Sequence, residues 1–239
     1  MDLHKNIDPG EIRHFDRHAG DWWEPKGPLK ALHDINPVRL QYIEDRVGIE
    51  GNSFLDIGCG GGILTEALAL AGGCVTGIDM TDSALLVARE HLRKTNLKIE
   101  YRRLTAEDLS REAGKPYDVI TCMELLEHVP RPASVLDACK RLLKPGGDLF
   151  IATLNRTWTA YVSAILAAEY VLKIVRKGTH SYRKFIRPEE LARWATTSGL
   201  VLADLSGFLY NPFSGKASLS SFTKINYLMH LKNHEQPLY

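Results

Sequence analysis

The sequence predicts an α/β fold: a doubly wound, mostly parallel, seven-stranded sheet with an N-terminal helical extension and a helical insertion after the fifth strand. Three observations carry this. From residue 53 onward, short apolar runs alternate with segments whose apolar residues recur at helical spacing, as right-handed parallel crossovers require. The first run, "FLDIG", opens into a turn with glycine at 58, 60, 61 and 62, where such sheets admit ligands at a strand's carboxyl end. Ahead of residue 50 the pattern is helical only.

Taken in order, "GEIRHFDRHAGDWWE" (10–24) reads as a short helix ending in a tryptophan pair, and "INPVRLQYIEDRVG" (35–48) as a second helix. In the second, Pro37 falls in the first turn and Gly48 closes the end. "SFLDIG" is a strand, "GILTEALALAGG" a helix closed by Gly72 and Gly73, and "CVTGIDM" the next strand. The helix "SALLVAREHLRKTN" leads to the strand "IEYRRLT". "YDVITCME" and "GGDLFIATLN" are two more buried strands, separated by the helix "PASVLDACKRLLKPGG". A helix near 188–198 precedes strand-like segments near 200–210 and 218–228, expected as an antiparallel edge pair. The expected organisation is one domain over 1–239. It comprises helices over 1–50, a ligand-binding core over 51–155, an insertion over 156–187, and a closing helix with edge strands over 188–239.

Composition narrows the function classes. At 239 residues and 44% hydrophobic content the chain builds a real core without staples. A net charge of +1 excludes a general nucleic-acid coat, so no nucleic-acid partner is expected. Cys59, Cys74, Cys122 and Cys139 form no C-x-x-C pair and no zinc-ligand spacing, and read as reduced thiols of a cytoplasmic protein. The polar start carries no leader pattern, and no apolar run reaches membrane-spanning length.

The glycine turn discriminates between ligands. No Lys–Ser/Thr pair follows it, as a nucleotide triphosphate loop would require. Counting from Gly58, the sixth position is Ile63, so the dinucleotide fingerprint fails as well. Instead Asp56 stands two residues ahead of Gly58, where it would repel a pyrophosphate and suit an ammonium group. Asp79 ends the second strand, where an acid accepts hydrogen bonds from a ribose diol. Together they suit an adenosine ligand without phosphates.

"LDIGCGGG", "GIDM", "YDVITCMELLEHV" and "LLKPGGDLFIATLN" resemble, in order and at workable spacing, the successive motifs of Rossmann-like class I S-adenosylmethionine-dependent methyltransferases. The flanks "DWWEPKGPLKALHDINPVRLQYI", "CMELLEHVPRP" and "AEYVLKIVRKGTHSYRKFIRPEEL" extend the resemblance over about residues 10–200, to the ubiquinone-biosynthesis O-methyltransferases. That resemblance implies O-methylation of polyprenylated phenols in quinone synthesis, from 3-demethylubiquinol to ubiquinol and on an earlier polyprenyl catechol. S-adenosyl-L-methionine is the implied cofactor. On the matching positions the resemblance implies that Gly58 lies against the methionine part, Asp79 holds the ribose, Met123 lines the adenine or sulfonium region and Arg39 reaches the carboxylate, with Gly60 and Met80 as further cofactor-binding residues. Asp56 binds the ammonium, directly or through water, or braces the loop; a lone helical Arg and a strand-end Asp also have the plain readings of salt bridge and cap.

Methyl transfer to a phenol is an in-line displacement that needs a deprotonated hydroxyl, hence a base near neutrality or a metal. Glu124, Glu127 and His128 follow the fourth strand and share one face if the segment turns helically. They are the expected catalytic set and, with the resemblance, the expected ligands of a divalent metal such as Mg. The alternative is that His128 only orients a loop. Residues 158–175 are apolar on most of a helical circumference, with Thr159, Ser163, Tyr170 and Lys173 on one narrow face. Six Lys/Arg and no acid follow from Lys173 to Arg187. This insertion reads as a lid or as an interfacial helix at an anionic membrane; Glu169 and its short apolar length exclude a span. Expected partners are the polyprenyl phenol or catechol, anionic lipid at the membrane's inner face, and other quinone-biosynthesis proteins. The alternatives are a class I methyltransferase with another small acceptor, or a lipid-binding scaffold without turnover.

Overall fold

The structure is a computed structural model that describes residues 6–17, 19–24, 26–112, 114–157, 160 and 184–234. The expected alternation is present from β1 (Ser53–Ile57) through α3 (Ile63–Leu70), β2 (Cys74–Ile78), α4 (Asp82–Leu92) and β3 (Ile99–Arg102). The short α5 (Ala106–Leu109), β4 (Tyr117–Met123), α6 (Pro132–Leu142) and β5 (Leu143–Leu154) complete the parallel part. α1 (Pro9–Arg17) and α2 (Lys30–Val47) precede it; α7 (Pro188–Thr197), β6 (Leu200–Asn211), β7 (Lys216–Ser220) and β8 (Asn226–Asn233) follow.

Among the described residues the sheet has eight strands in the order β3-β2-β1-β4-β5-β8-β6-β7, one more than expected. The segment expected as one strand near 218–228 divides in two. β7 pairs with β6 at the sheet's edge, while β8 slots between β5 and β6, antiparallel to both. β8 is buried along most of its length, so it lacks the apolar–polar alternation that marks a half-exposed strand. Chain reversal dominates the order: β1 has β2 on one side and β4 on the other, both parallel. The crevice at the carboxyl ends of β1 and β4 is therefore the topological switch point, where doubly wound sheets hold ligands.

Alternating residues of each central strand feed two core layers. Leu55, Ile120 and Leu149 face the layer under α6 and α7, with Leu136, Leu191 and Met229. Their neighbours Phe54, Val119 and Phe150 face the other layer, with Tyr42, Ile43 and Leu68 from α2 and α3.

Two helix readings change. α2 starts at Lys30, so Pro37 lies inside it rather than in its first turn. An interior proline forfeits a backbone bond and costs roughly 3 kcal/mol; burial of Ile35, Arg39, Tyr42 and Ile43 on the same helix overrides that local penalty. α6 stops at Leu142, because Lys144 precedes Pro145 and is biased to extended backbone, which hands the chain to β5. The helix expected over 10–24 ends at Arg17, with a 3₁₀ turn at Ala19–Asp21. Most of the insertion over 156–187, with Thr159, Ser163, Glu169, Tyr170 and Lys173, lies outside the described residues. No helix among the described residues is long and apolar enough to cross a membrane.

Candidate active site

The glycine turn leaves β1 and doubles back into α3, with Gly60 and Gly62 both in the left-handed region (φ 53° and 87°). A side chain at Gly60 or Gly61 would overlap the indole of Trp22, and one at Gly62 would overlap the Tyr101 hydroxyl. Much of the bareness read as room for a ligand is thus used by the protein's own rings. Trp23 fastens the same turn: its indole N–H donates to the Gly61 carbonyl at 2.8 Å, and its ring stacks flat on His91 at 3.5 Å. His91 is held in turn by the buried Glu66 at 2.9 Å. Gly58, directly after β1, has a different neighbour; its face meets Leu125 from the turn after β4.

Asp56 and Asp79 brace this turn. The Asp56 carboxylate accepts the hydroxyls of Thr65 (2.6 Å) and Thr121 (2.7 Å), one on each oxygen, which ties the end of β1 to α3 and β4. Asp79 accepts the Gly60 N–H at 3.0 Å and the Thr81 N–H at 2.7 Å, which ties the turn to the end of β2. Burial pushes both carboxyls above their ordinary values despite these bonds. Each oxygen keeps a lone pair beyond the bonds it makes.

On the other side of the switch point, β4 ends at Met123 and the chain turns at Glu124, whose φ of 49° is left-handed for a non-glycine residue. The Glu124 N–H bonds the Ala152 carbonyl at 2.8 Å, and its carboxylate pairs with Arg39 from α2. Arg39 is only 5% exposed, so this is no surface salt bridge. Its Nε is buried without a hydrogen-bond partner, a donor in want of an acceptor.

The expected metal ligands do not converge. Glu124 is turned to Arg39, and the buried Glu127 accepts the Thr153 hydroxyl at 2.8 Å beneath the turn. His128 bonds Glu11 of α1 through Nδ1 at 3.0 Å. Among the described residues no group of three or more His, Cys, Asp or Glu is arranged to hold an ion. Glu124 stands outside the 3₁₀ turn at Leu126–His128 with a left-handed backbone, so the three side chains do not share the face of one regular helix. Burial raises the Glu127 carboxyl. For His128 burial opposes the charged ring, but Glu11 and Glu127 outweigh it and raise its pKa above the ordinary histidine value. The same His128 bond, joined by Lys184 at 2.7 Å, pulls Glu11 down to about 2 against its burial.

These parts enclose a cavity of about 360 Å³. Arg39, Asp56, Gly58, Gly60, Asp79, Met80, Met123, Glu124 and His128 all line it; Glu127 does not. Its size suits a small molecule.

A model of the methyltransferase domain family matches residues 34–205. The ubiquinone biosynthesis O-methyltransferase of Pseudomonas savastanoi pv. phaseolicola is 48% identical over 224 residues, covering 94% of this chain and 97% of that one. The protein of that name from Methylococcus capsulatus is 50% identical, covering 93% and 94%. The chain belongs to the ubiquinone biosynthesis O-methyltransferase family. It is an S-adenosylmethionine-dependent O-methyltransferase. Solved structures agree on the fold. A possible histamine N-methyltransferase from Thermotoga maritima has a TM-score of 0.65 at 15% identity, covering 93% of this chain and 99% of that one. The magnesium protoporphyrin IX methyltransferase of Synechocystis PCC 6803 with bound SAH has a TM-score of 0.63 at 15% identity, covering 84% and 83%.

Motif reading of this methyltransferase missed Glu11, Trp22 and Leu125 at the site. Trp22 carried no local signal, since α2 and β1 separate it in sequence from the glycine turn that it covers. Glu11 had none: its contact with His128 spans 117 positions and depends on where α1 docks.

Proposed function

We propose that this chain transfers the methyl group of S-adenosyl-L-methionine to a catechol-type hydroxyl of polyprenyl quinone precursors. The acceptors are 3-demethylubiquinol, giving ubiquinol, and 2-polyprenyl-6-hydroxyphenol, giving its methoxyphenol. The observation that carries the reading is the likeness to curated ubiquinone biosynthesis O-methyltransferases, at close to half the residues over nearly the whole chain. A single-domain enzyme at the inner face of the membrane is the setting this acceptor asks for.

The site supports the cofactor half of the reading through its unpaired donor. Arg39 holds the methionine carboxylate with the buried Nε, and Asp79 accepts the ribose hydroxyls on its remaining lone pairs. Gly58 and Gly60 let the methionine part lie against the turn, Met80 and Met123 flank the adenine and sulfonium, and Asp56 keeps the turn in shape. S-adenosylmethionine supplies an electrophilic methyl group when bound. His128 takes the phenolic proton at Nε2, because Glu11 engages Nδ1 and fixes the ring's orientation. The divergent set of Glu124, Glu127 and His128 does not fit one metal ion.

The test is His128→Asn with a short-chain prenyl catechol as acceptor. Turnover is expected to fall by about 10²–10⁴-fold, the span of a lost general base, while S-adenosylhomocysteine binds as before. Wild-type turnover in that variant would remove His128 from the reaction.

A further inference from the structure

We infer that the cavity-facing side of α1 is the wall that selects the acceptor, with Phe15 beside its catechol ring and Ile12 and Ile7 against the first isoprene unit of its chain. This assignment rests on the prenylated acceptor proposed above. α1 has no buried residue, and polar ties hold the segment in place. Asn6, ahead of the helix, donates to Glu107 at 2.8 Å and to the Arg131 carbonyl at 2.9 Å. Asp16, near the helix end, accepts the Ser83 hydroxyl at 2.6 Å. Lys184 donates to Asp8 and Glu11 between them. None of these ties uses an apolar side chain.

The apolar side chains face the cavity instead. Asp8, Glu11, Ile12 and Phe15 follow the i, i+3, i+4, i+7 pattern of one helix face, and all four line the cavity, as does Ile7 ahead of them. Ile7, Ile12 and Phe15 are half-buried, yet they join none of the three apolar clusters that form the described core. An amphipathic helix ordinarily turns its apolar stripe to the core. Here the stripe is turned to the cavity, so its partner is a ligand.

Position selects which ligand. The groups assigned to the cofactor come from α2 and from the ends of β1, β2 and β4, and none comes from α1. Glu11 and Phe15 instead meet His128: Glu11 at Nδ1, and Phe15 edge-on, with ring centroids 5.2 Å apart. An acceptor hydroxyl that gives its proton to His128 Nε2 therefore has Phe15 beside its ring. In both proposed acceptors the chain and the reacting hydroxyl share one ring, so the first isoprene unit starts within a ring's width of that oxygen. The carboxylates on this face are both engaged by Lys184, which leaves Ile7, Ile12 and Phe15 as the surface the chain meets.

The experiment compares two acceptors on the full chain: unsubstituted catechol, and a catechol carrying one isoprene unit beside a hydroxyl. The wild type is expected to favour the prenylated acceptor in kcat/KM. Ile12→Thr and Phe15→Leu are each expected to lower that preference about tenfold, the scale of a lost apolar contact in a pocket. Arg13→Ala, on the exposed side of α1, keeps the preference. A ratio taken on one preparation is indifferent to partial unfolding, to a weakened base and to a weakened cofactor site, since each lowers both acceptors alike. The same catechols titrated into the S-adenosylhomocysteine complex give the preference as a ratio of Kd values, without turnover. An undiminished ratio in both variants, or a wild type that binds the two catechols equally, overturns the assignment. So does weaker S-adenosylhomocysteine binding in the variants with the ratio intact, which would place the stripe over the cofactor. Absent methyl transfer with an intact Kd preference would sink the proposed reaction and support the wall.

Discussion

Replacing Arg39 by glutamine probes the cofactor half of the site. The guanidinium is 5% exposed, pairs with Glu124, and keeps Nε without a partner. A hydrogen bond to a charged group is worth about 1.5–3 kcal/mol net, so Arg39→Gln should weaken S-adenosylhomocysteine binding about 10–150-fold. Folding should suffer less. The Glu124 side chain is 28% exposed and regains water, which sets the cost near 2 kcal/mol, between exposed and fully buried pairs. Calorimetric titration with two ligands separates the effects, because 5′-methylthioadenosine retains the adenosine and lacks the carboxylate. The variant should lose affinity for S-adenosylhomocysteine and keep it for methylthioadenosine. Equal losses on both ligands, or none on either, would refute the assignment of Arg39 to a carboxylate.

Other perturbations follow from the same contacts. His128 acts as a base only when neutral and its pKa is raised, so kcat/KM should climb with pH through a value above the ordinary histidine range; Glu11→Gln removes the stabilising carboxylate and should move that limb to lower pH. An unmoved limb would contradict the pairing. Asp118, held down to about 2 by Lys144 and Ser53 against its partial burial, stabilises the fold above its unfolded pKa, and that share is lost as pH falls through about 2. The stability gap between wild type and Asp118→Asn should therefore close on acidification, as read by denaturant titration. Gly60→Ala should cost about 1–3 kcal/mol by overpacking against Trp22, and Trp22→Ala in the same chain should recover part of it. Glu127→Ala should destabilise by about 1–3 kcal/mol by orphaning the buried Thr153 hydroxyl, seen as a lower denaturation midpoint.

What the sequence made legible was what local pattern encodes. β1 to β5 announce themselves as apolar runs, and the glycine turn, Asp79 and Met123 sit where motif spacing puts them, at the ends of β1, β2 and β4. The rest depended on tertiary contact. β8 is buried between two strands and carries no alternation, so it merged with β7 in the reading and the sheet lost a strand. Pro37 marks a helix start by local rule, yet packing of α2 on the sheet carries the helix through it. The Glu124–Glu127–His128 spacing assumed an α-helical turn, whereas Glu124 has a left-handed backbone ahead of the 3₁₀ turn and each of the three side chains meets a different partner. Local spacing located the site but not its wiring.

The central claim is O-methylation of a prenylated catechol, and its most direct measurement follows the methyl group itself. The full chain would be incubated with S-adenosylmethionine carrying a ¹³C methyl group and a short-chain prenyl catechol, and the product examined by carbon NMR and mass. The account expects one labelled methyl bound to a phenolic oxygen. A label on ring carbon, or no transfer by enzyme that demonstrably binds S-adenosylhomocysteine, would contradict it.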